Sequence, residues 1–462
     1  MEVGHLIGIG ITLTVIVLLS VFSGKLTNAK KGMGSWGVFG AITGTLVGGS
    51  STVGTAQLAF HYGMSAWWFT LGGGIACLVL ALVFVKRFRE SNSRTLTEIV
   101  RKEYGERCGV TASVLSATGN FINIISQLIA ATAIIAVFWP GLSHTLSLAI
   151  SAAFMIVYIV FGGTKGSAVT GLFKMILLYA TMVACGALVL VFTNGIGGFT
   201  ALVSELSSST GLPLHSPFAR GIGTDLGACL SLILGVVTTQ AYAQPIFMAS
   251  STKEAKKGAL LSAFIIPPVG IGGILVGLYM RSVHPEIVAK TALTSFVLEY
   301  FPPLVGGIIL GALFIAVVGT GAGLASGIAA VIRNDILPRF KKFKAVGGTL
   351  IERVCIVVLL LAAAALSTGK LGDTILSFAF LSMGLRGATL LLPLCCGLWL
   401  PKKISRPFVM TAIILGPAAV AVFGLWDVLP FDPLFAGVLA ACAVMVMGFW
   451  ANRHAPSHLS LE

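Results

Sequence analysis

The sequence predicts an all-α polytopic membrane protein of about 13 transmembrane helices. Its core is two five-span repeats of opposite direction, with two discontinuous helices. Three observations carry this. Of the 462 residues, 56% are hydrophobic and only 10% charged, whereas soluble domains are nearer a quarter charged. The apolar residues gather into stretches long enough to cross a bilayer. Two of those stretches are interrupted at mid-depth by residues that make poor helix in lipid.

The stretches run over 4–22, 36–62, 64–86, 108–138, 145–162, 167–193, 224–249, 257–282, 304–332, 350–367, 372–400, 406–424 and 432–452. The first lacks a basic leader and a small-residue cleavage site, so it reads as a span rather than a signal peptide. The chain divides into an extra span and loop (1–35), a first repeat (36–193), a second repeat (194–400), and two further spans with a short tail (401–462). Short peripheral helices are expected at Thr95–Tyr104 on the inner side, and near Thr200–Ser207 and Pro285–Tyr300 on the outer side.

Charge placement orients this frame. Of 30 Lys and Arg, only Arg220, Arg281, Lys290 and Lys370 fall on one set of alternate connections, and Lys174 and Arg386 fall inside spans; the rest share the other set. The asymmetry predicts an N-terminus outside, a C-terminus in the cytoplasm and residence in the cell (inner) membrane. The net charge of +14 is therefore a topology signal, with the lipid bilayer as partner and no nucleic acid. Eight cysteines show neither metal spacing nor an extracellular pairing pattern, so they read as small core residues.

The first interruption reads Gly48-Gly49-Ser50-Ser51-Thr52-Val53-Gly54. A glycine costs about 1 kcal/mol against alanine within a helix, and lipid offers nothing to backbone groups the break frees. Such a break survives where it lines a wet or protein-filled cavity, and there its carbonyls and amides become ligands. The second interruption, around Gly235-Val236-Val237-Thr238-Thr239-Gln240, falls five spans later. Two broken helices at matching places point to a transporter with inverted repeats.

Three motifs, in order, resemble the sodium:solute symporter family, whose core is the leucine-transporter-type fold. They are Phe161-Gly162-Gly163-Thr164-Lys165-Gly166; Thr239-Gln240-Ala241-Tyr242-Ala243-Gln244-Pro245 with the basic turn Ser251–Lys257; and Ala316-Val317-Val318-Gly319-Thr320 leading to Arg333-Asn334-Asp335. The resemblance implies symport of a small organic solute driven by a cation, sodium, through alternating access. It implies a sodium site of the backbone carbonyls of Ser50, Val53 and Ala316 with the Thr320 hydroxyl. Ordinary hydrogen bonding between packed helices is the alternative for Ser50 and Thr320.

Two departures bear on the ion. Gly319 stands where the family usually has a second hydroxyl, and Thr170-Gly171 where many members carry an Asp. Lys174, further along the same span, either substitutes for the ion in a proton-coupled or ion-independent carrier, or snorkels about 10 Å to the interface. Arg386, in the repeat-related span, either contacts a substrate carboxylate or caps a neighbouring helix break. No acid lies deep in any span. Ser51, Thr52, Asn120, Asn123, Gln127, Thr239, Gln240 and Gln244 complete the expected substrate cavity, with Tyr242 as an aromatic wall. Packing between helices is the alternative for these amides. A membrane enzyme would need a nucleophile, an acid pair or a metal cluster, and the spans supply none. A sensor would carry a further signalling domain. No obligate protein partner is expected.

Overall fold

A chain this apolar must satisfy its backbone internally, and it does so with helices. The computed structural model describes residues 2–26, 32–139, 141–162, 167–333, 348–368, 375–426 and 431–454. The motif residues 163–166, Asn334, Asp335 and Lys370, and the side chain of Thr170, lie outside these.

The first repeat opens on a span in pieces: α2 (Ser35–Leu46), a π-helical turn Ser50–Gly54 and α3 (Thr55–Tyr62), preceded by the extra helix α1 (Val3–Leu26). Gly63, at φ +57°, reverses the chain, and Met64 N–H donates to the Leu214 carbonyl at 2.8 Å. The return runs through α4 (Trp68–Val79), a second π turn (Leu80–Phe84) and α5 (Val85–Glu90). Next come the short α6 (Leu96–Tyr104), then α7 (Glu106–Phe138), α8 (His144–Gly162) and α9 (Ser167–Phe192). A peripheral helix α10 (Ile196–Thr210) follows and extends beyond the expected Thr200–Ser207.

The second repeat opens on α11 (Ile222–Val237) and α12 (Gln240–Phe247), which meet at a 42° bend. It continues through α13 (Thr252–Val283), the peripheral α14 (Ala292–Tyr300), α15 (Pro303–Val331), α16 (Gly348–Leu366) and α17 (Ile375–Trp399). Two helices follow, α18 (Arg406–Trp426) and α19 (Pro433–His454).

Among the described residues, eight helical stretches are long and apolar enough to cross a bilayer, or nine if the bent pair α11–α12 is one span. Shorter apolar helices lie at Val3–Val15, His144–Tyr158 and Arg353–Leu366. Burial separates core from rim. Of the most apolar windows of α7 and α15, 78% is buried, against 33% for α18 and α19. The first pair therefore forms the interior, and the second presents most of its surface outward, as lipid-facing helices do.

At the face rich in Lys and Arg, polar ties join the ends of the broken helices. Met33 and Ala249 form an isolated bridge, with Met33 N–H to the Met248 carbonyl at 2.9 Å and Ser250 N–H to the Met33 carbonyl at 2.8 Å. Ser35 N–H donates to the Glu254 carboxylate at 2.6 Å. Helix α6 starts with a capping pair: Thr95 Oγ1 accepts from Glu98 N–H, and the Glu98 carboxylate accepts from Arg94 N–H at 2.7 Å.

Candidate functional site

The two breaks set the geometry. After Leu46 the chain leaves helical form, with Val47 extended at φ −88°, ψ 100°. The Gly48 N–H, which would close the next helical bond onto Gly44, donates instead to Ser51 Oγ at 2.8 Å. The Gly44 carbonyl is thereby freed. Lys174 of α9 takes it: its ammonium donates to Gly44 O at 2.5 Å and to Thr320 Oγ1 of α15 at 2.9 Å. Only 4% of the Lys174 residue surface is exposed, so the side chain does not snorkel.

Thr320 and Gly48 are in close approach, since a Cβ on Gly48 would overlap the Thr320 hydroxyl. The carbonyl sharing a donor with Thr320 is therefore Gly44's, about two turns earlier than expected. The Ser50 carbonyl accepts from Thr55 Oγ1 at 3.3 Å, and the Thr52 carbonyl lies 3.4 Å from where a Cβ on Gly273 of α13 would stand. Val53 is fully buried beside them, and Ala316 is buried one turn before Thr320. Gly319 leaves room: a Cβ there would meet Lys174 Nζ at 3.7 Å and Tyr158 Oη at 3.6 Å, ordinary contact distances.

The other groups freed at this break are met by side chains. Ser51 Oγ and Thr52 Oγ1 donate to the Gly48 carbonyl at 3.0 and 2.8 Å. Their hydroxyls therefore close the break on itself. Gln127 of α7 accepts from Gly49 N–H at 3.1 Å and donates through Nε2 to Ser50 Oγ at 2.9 Å. Ser50 Oγ also meets Ser126 Oγ at 3.2 Å, and Ser126 Oγ donates to the Ile375 carbonyl at 2.8 Å. Gln57 of α3 accepts from Ile375 N–H at 3.0 Å. The start of α17 is thus pinned to the first break.

Arg386 occupies the second break. It is fully buried, and its Nη1 donates to Asn120 Oδ1 at 2.5 Å and to Thr239 Oγ1 at 2.7 Å. Nε donates to the Ser382 carbonyl at 3.0 Å, while among the described residues Nη2 meets only the Met383 thioether at 3.0 Å. A sulfur is a weak acceptor, so Nη2 is the least satisfied edge of the guanidinium. Thr239 Oγ1 donates in turn to the Gly235 carbonyl. Glycine permits this crossing of helices: a Cβ on Gly119 of α7 would stand 2.5 Å from Arg386 Cγ, and one on Gly235 would overlap Met383.

The polar face of α7 therefore spans both breaks. Asn120 holds Arg386, Gln127 holds the first break, and Asn123 Oδ1 between them accepts from Gln127 Nε2 at 3.5 Å, the long end for a hydrogen bond. Ion pairs lie toward the two faces, as in Arg220–Asp225, Lys86–Glu90 and His284–Glu299. Neither inner cation has a carboxylate partner among the described residues. Burying a charge at this depth costs about 2.5–3.5 kcal/mol or more, and here neutral oxygens answer it. Hydrogen bonds to a charged donor contribute about 1.5–3 kcal/mol each.

Two expected residues stand apart from this group. Gln240 turns to the basic face: its Oε1 accepts from Leu96 N–H at 2.9 Å and its Nε2 donates to the Arg94 carbonyl at 3.1 Å. Gln244 Nε2 reaches Met248 Sδ at 3.9 Å in an exposed setting. Tyr242 is buried in the core of α12. Sequence reasoning missed Gly44, Gly119, Ser126, Tyr158 and Met383. Small residues on apolar helices carry no signal of their own, and only the crossing geometry makes them matter.

Comparison with known proteins agrees with this architecture. The model of the sodium:solute symporter family matches residues 9–400. An uncharacterized symporter of Bacillus subtilis (strain 168), YwcA, is 23% identical over 262 residues, covering 55% of this chain and 48% of that protein. The chain thus spans about half the length of the curated relative it matches. A substrate-bound, outward-open Na+-coupled sialic acid symporter superposes with a TM-score of 0.78 at 16% identity, covering 98% of each chain. A nucleobase-cation-symport-1 family transporter in a closed conformation superposes with a TM-score of 0.61 at 14% identity, covering 94% of this chain and 96% of its own. The manganese transporter of Eremococcus coleocola shares the fold at a TM-score of 0.53 and 10% identity, over 90% of this chain and 95% of its own.

Proposed function

Because the chain belongs to the sodium:solute symporter family, we propose that it is a secondary membrane transporter rather than an enzyme, with a specific division of labour between its two breaks. At the first, the tethered ammonium of Lys174 stands where the family holds its sodium ion. At the second, Arg386 receives the carboxylate of a small organic solute. Transport follows alternating access, with the N-terminus outside, the C-terminus in the cytoplasm and the protein in the inner membrane.

One observation carries this reading. Lys174 Nζ bonds both the carbonyl freed by the first break and the Thr320 hydroxyl, the kind of oxygen pair a broken helix offers a cation. A buried ammonium there supplies the charge a bound sodium would supply. The solute assignment is supported by Nη2 of Arg386, whose only acceptor among the described residues is a thioether, and by the planar fork that suits a carboxylate. Asn120 on α7 holds the neighbouring nitrogen, Nη1.

A second reading keeps sodium as the coupling ion, and family membership favours it: the Gly44 and Thr320 oxygens would receive the ion once Lys174 swings aside. Uptake of radiolabelled short-chain carboxylates, each taken singly, into proteoliposomes separates the two. Replacing sodium by choline leaves uptake unchanged if Lys174 supplies the cation, and abolishes it if sodium does. A pH gradient imposed in choline reads whether protons drive the solute. Arg386→Lys is expected to weaken apparent affinity about tenfold or more by losing the fork. Unchanged affinity in both Arg386→Lys and Arg386→Ala would remove the carboxylate assignment.

A further inference from the structure

Gln240 begins α12, directly after the break that holds Arg386, yet its amide points away from the guanidinium. Both edges of that amide bond the backbone on either side of Thr95, accepting from Leu96 N–H at 2.9 Å and donating to the Arg94 carbonyl at 3.1 Å. A side-chain amide, with one acceptor and two donors on a plane, can grip a backbone turn at two points. Gln240 is 4% exposed, so these bonds are largely shielded from water.

The segment just before the turn is braced. Lys102 Nζ donates to the Ser91 and Asn92 carbonyls at 3.3 and 2.9 Å and to Ser93 Oγ at 3.0 Å. The far end of α12 is tied to the same region, because Arg89 Nη1 donates to the Phe247 carbonyl at 2.8 Å. Toward α15, a Cβ on Gly327 would meet Ala241 Cβ at 3.7 Å, an ordinary contact distance. Helix α12 is thus bonded at both of its ends, by Gln240 and through Phe247, to the stretch that leads into α6.

We propose that Gln240 is a positioning residue and the inner latch of the transport cycle. Its two amide bonds hold the half-helix below Arg386 against the turn before α6, and the path from Arg386 to the basic face opens when they part. The residue acts through Thr239, its neighbour and the acceptor of an Arg386 N–H, and does not itself touch solute.

This inference rests on the alternating-access reading above, but its test needs neither solute nor sodium, so a failure of either assignment leaves the result intact. Ala241→Cys is introduced as a reporter on the half-buried face toward α15, and a membrane-impermeant maleimide is added from the basic face. Labelling is corrected with the parent protein, which retains its eight native cysteines. Gln240→Met keeps the bulk and loses both bonds, whereas Gln240→Glu keeps the oxygen that accepts from Leu96 N–H and loses the donor to Arg94. Labelling is expected to quicken roughly tenfold in the Met variant, the scale of losing two neutral hydrogen bonds, and by less in the Glu variant. Equal rates in all three proteins overturn the latch. So does a Glu variant labelled as fast as, or faster than, the Met variant, or a Glu variant alone that matches the parent.

Discussion

Three residues separate the helical pieces of the first break, Val47, Gly48 and Gly49, whereas Thr238 and Thr239 separate those of the second. The first exposes a run of backbone groups and recruits two other helices to answer them, through Gln127 of α7 and Lys174 of α9, with Thr320 of α15 accepting from Lys174. The second bends by 42° and largely caps itself, since the hydroxyls of Thr238 and Thr239 return to carbonyls one turn back. Each break nonetheless receives one cation from a later helix, Lys174 from α9 and Arg386 from α17. Lysine, a compact point charge with three rotatable donors, fits a pocket between a carbonyl and a hydroxyl. Arginine, with its flat fork, bridges Asn120 and Thr239 and keeps one edge for another acceptor. The two breaks share a plan, and under the proposed function the chemistry at each decides whether the charge stands in for an ion or receives one.

That contrast can be broken from its strongest side first. Lys174→Ala leaves the Gly44 carbonyl and Thr320 hydroxyl without their donor, and uptake should fall about a hundredfold, the scale of two charge-assisted hydrogen bonds. Part of the loss should return with sodium, and a sodium titration of the variant reads this. Next comes packing at the first break. Gly49→Ala would place a Cβ 2.6 Å from Ala130 Cβ and 2.8 Å from Val317 Cγ2, costing about 1–3 kcal/mol of overpacking. A lowered midpoint of thermal unfolding in detergent is the expected sign.

Gln127→Leu, which orphans the Gly49 N–H, should cost a similar 1–3 kcal/mol, with apparent solute affinity lowered as the break loosens. At the second break, Thr239→Val removes the acceptor of Arg386 and should raise KM several-fold. Thr239→Ser, which keeps the hydroxyl, should stay near the parent. If Thr239→Val were silent, Arg386 would not depend on the break at all.

The smallest effect lies outside both breaks. His284, beyond the end of α13, is held above its ordinary pKa of 6.5, chiefly by its hydrogen bond to Glu299. A raised folded pKa gives stability that is complete below the unfolded value and lost as pH rises through the folded one. Glu299→Gln should reduce that slight pH dependence, Glu286 remaining beside the imidazole, without touching transport, as unfolding midpoints across pH 5–9 would read (roughly the His range).

Much of this was legible in residue order alone. The glycine and hydroxyl run announced the first break, and the lone Lys and Arg announced themselves by their cost in lipid. The register was not legible. Which carbonyl faces Thr320 depends on where α2 stops, and that was settled by Gly48 N–H choosing Ser51 Oγ over Gly44. Gln240 misled for a related reason: one residue past a bend, its side chain points to the opposite side from Thr239, and no pattern in the sequence states the direction of the bend. Gln127 was expected to read solute, and its amide is spent on Gly49 and Ser50.

The central claim is that a tethered ammonium replaces sodium at the first break. Equilibrium binding of radiolabelled sodium to the purified protein, beside Lys174→Ala, tests it most directly. The account predicts no saturable sodium binding in the parent and a new saturable site in the variant. Saturable binding in the parent that is unchanged or lost in Lys174→Ala would contradict it.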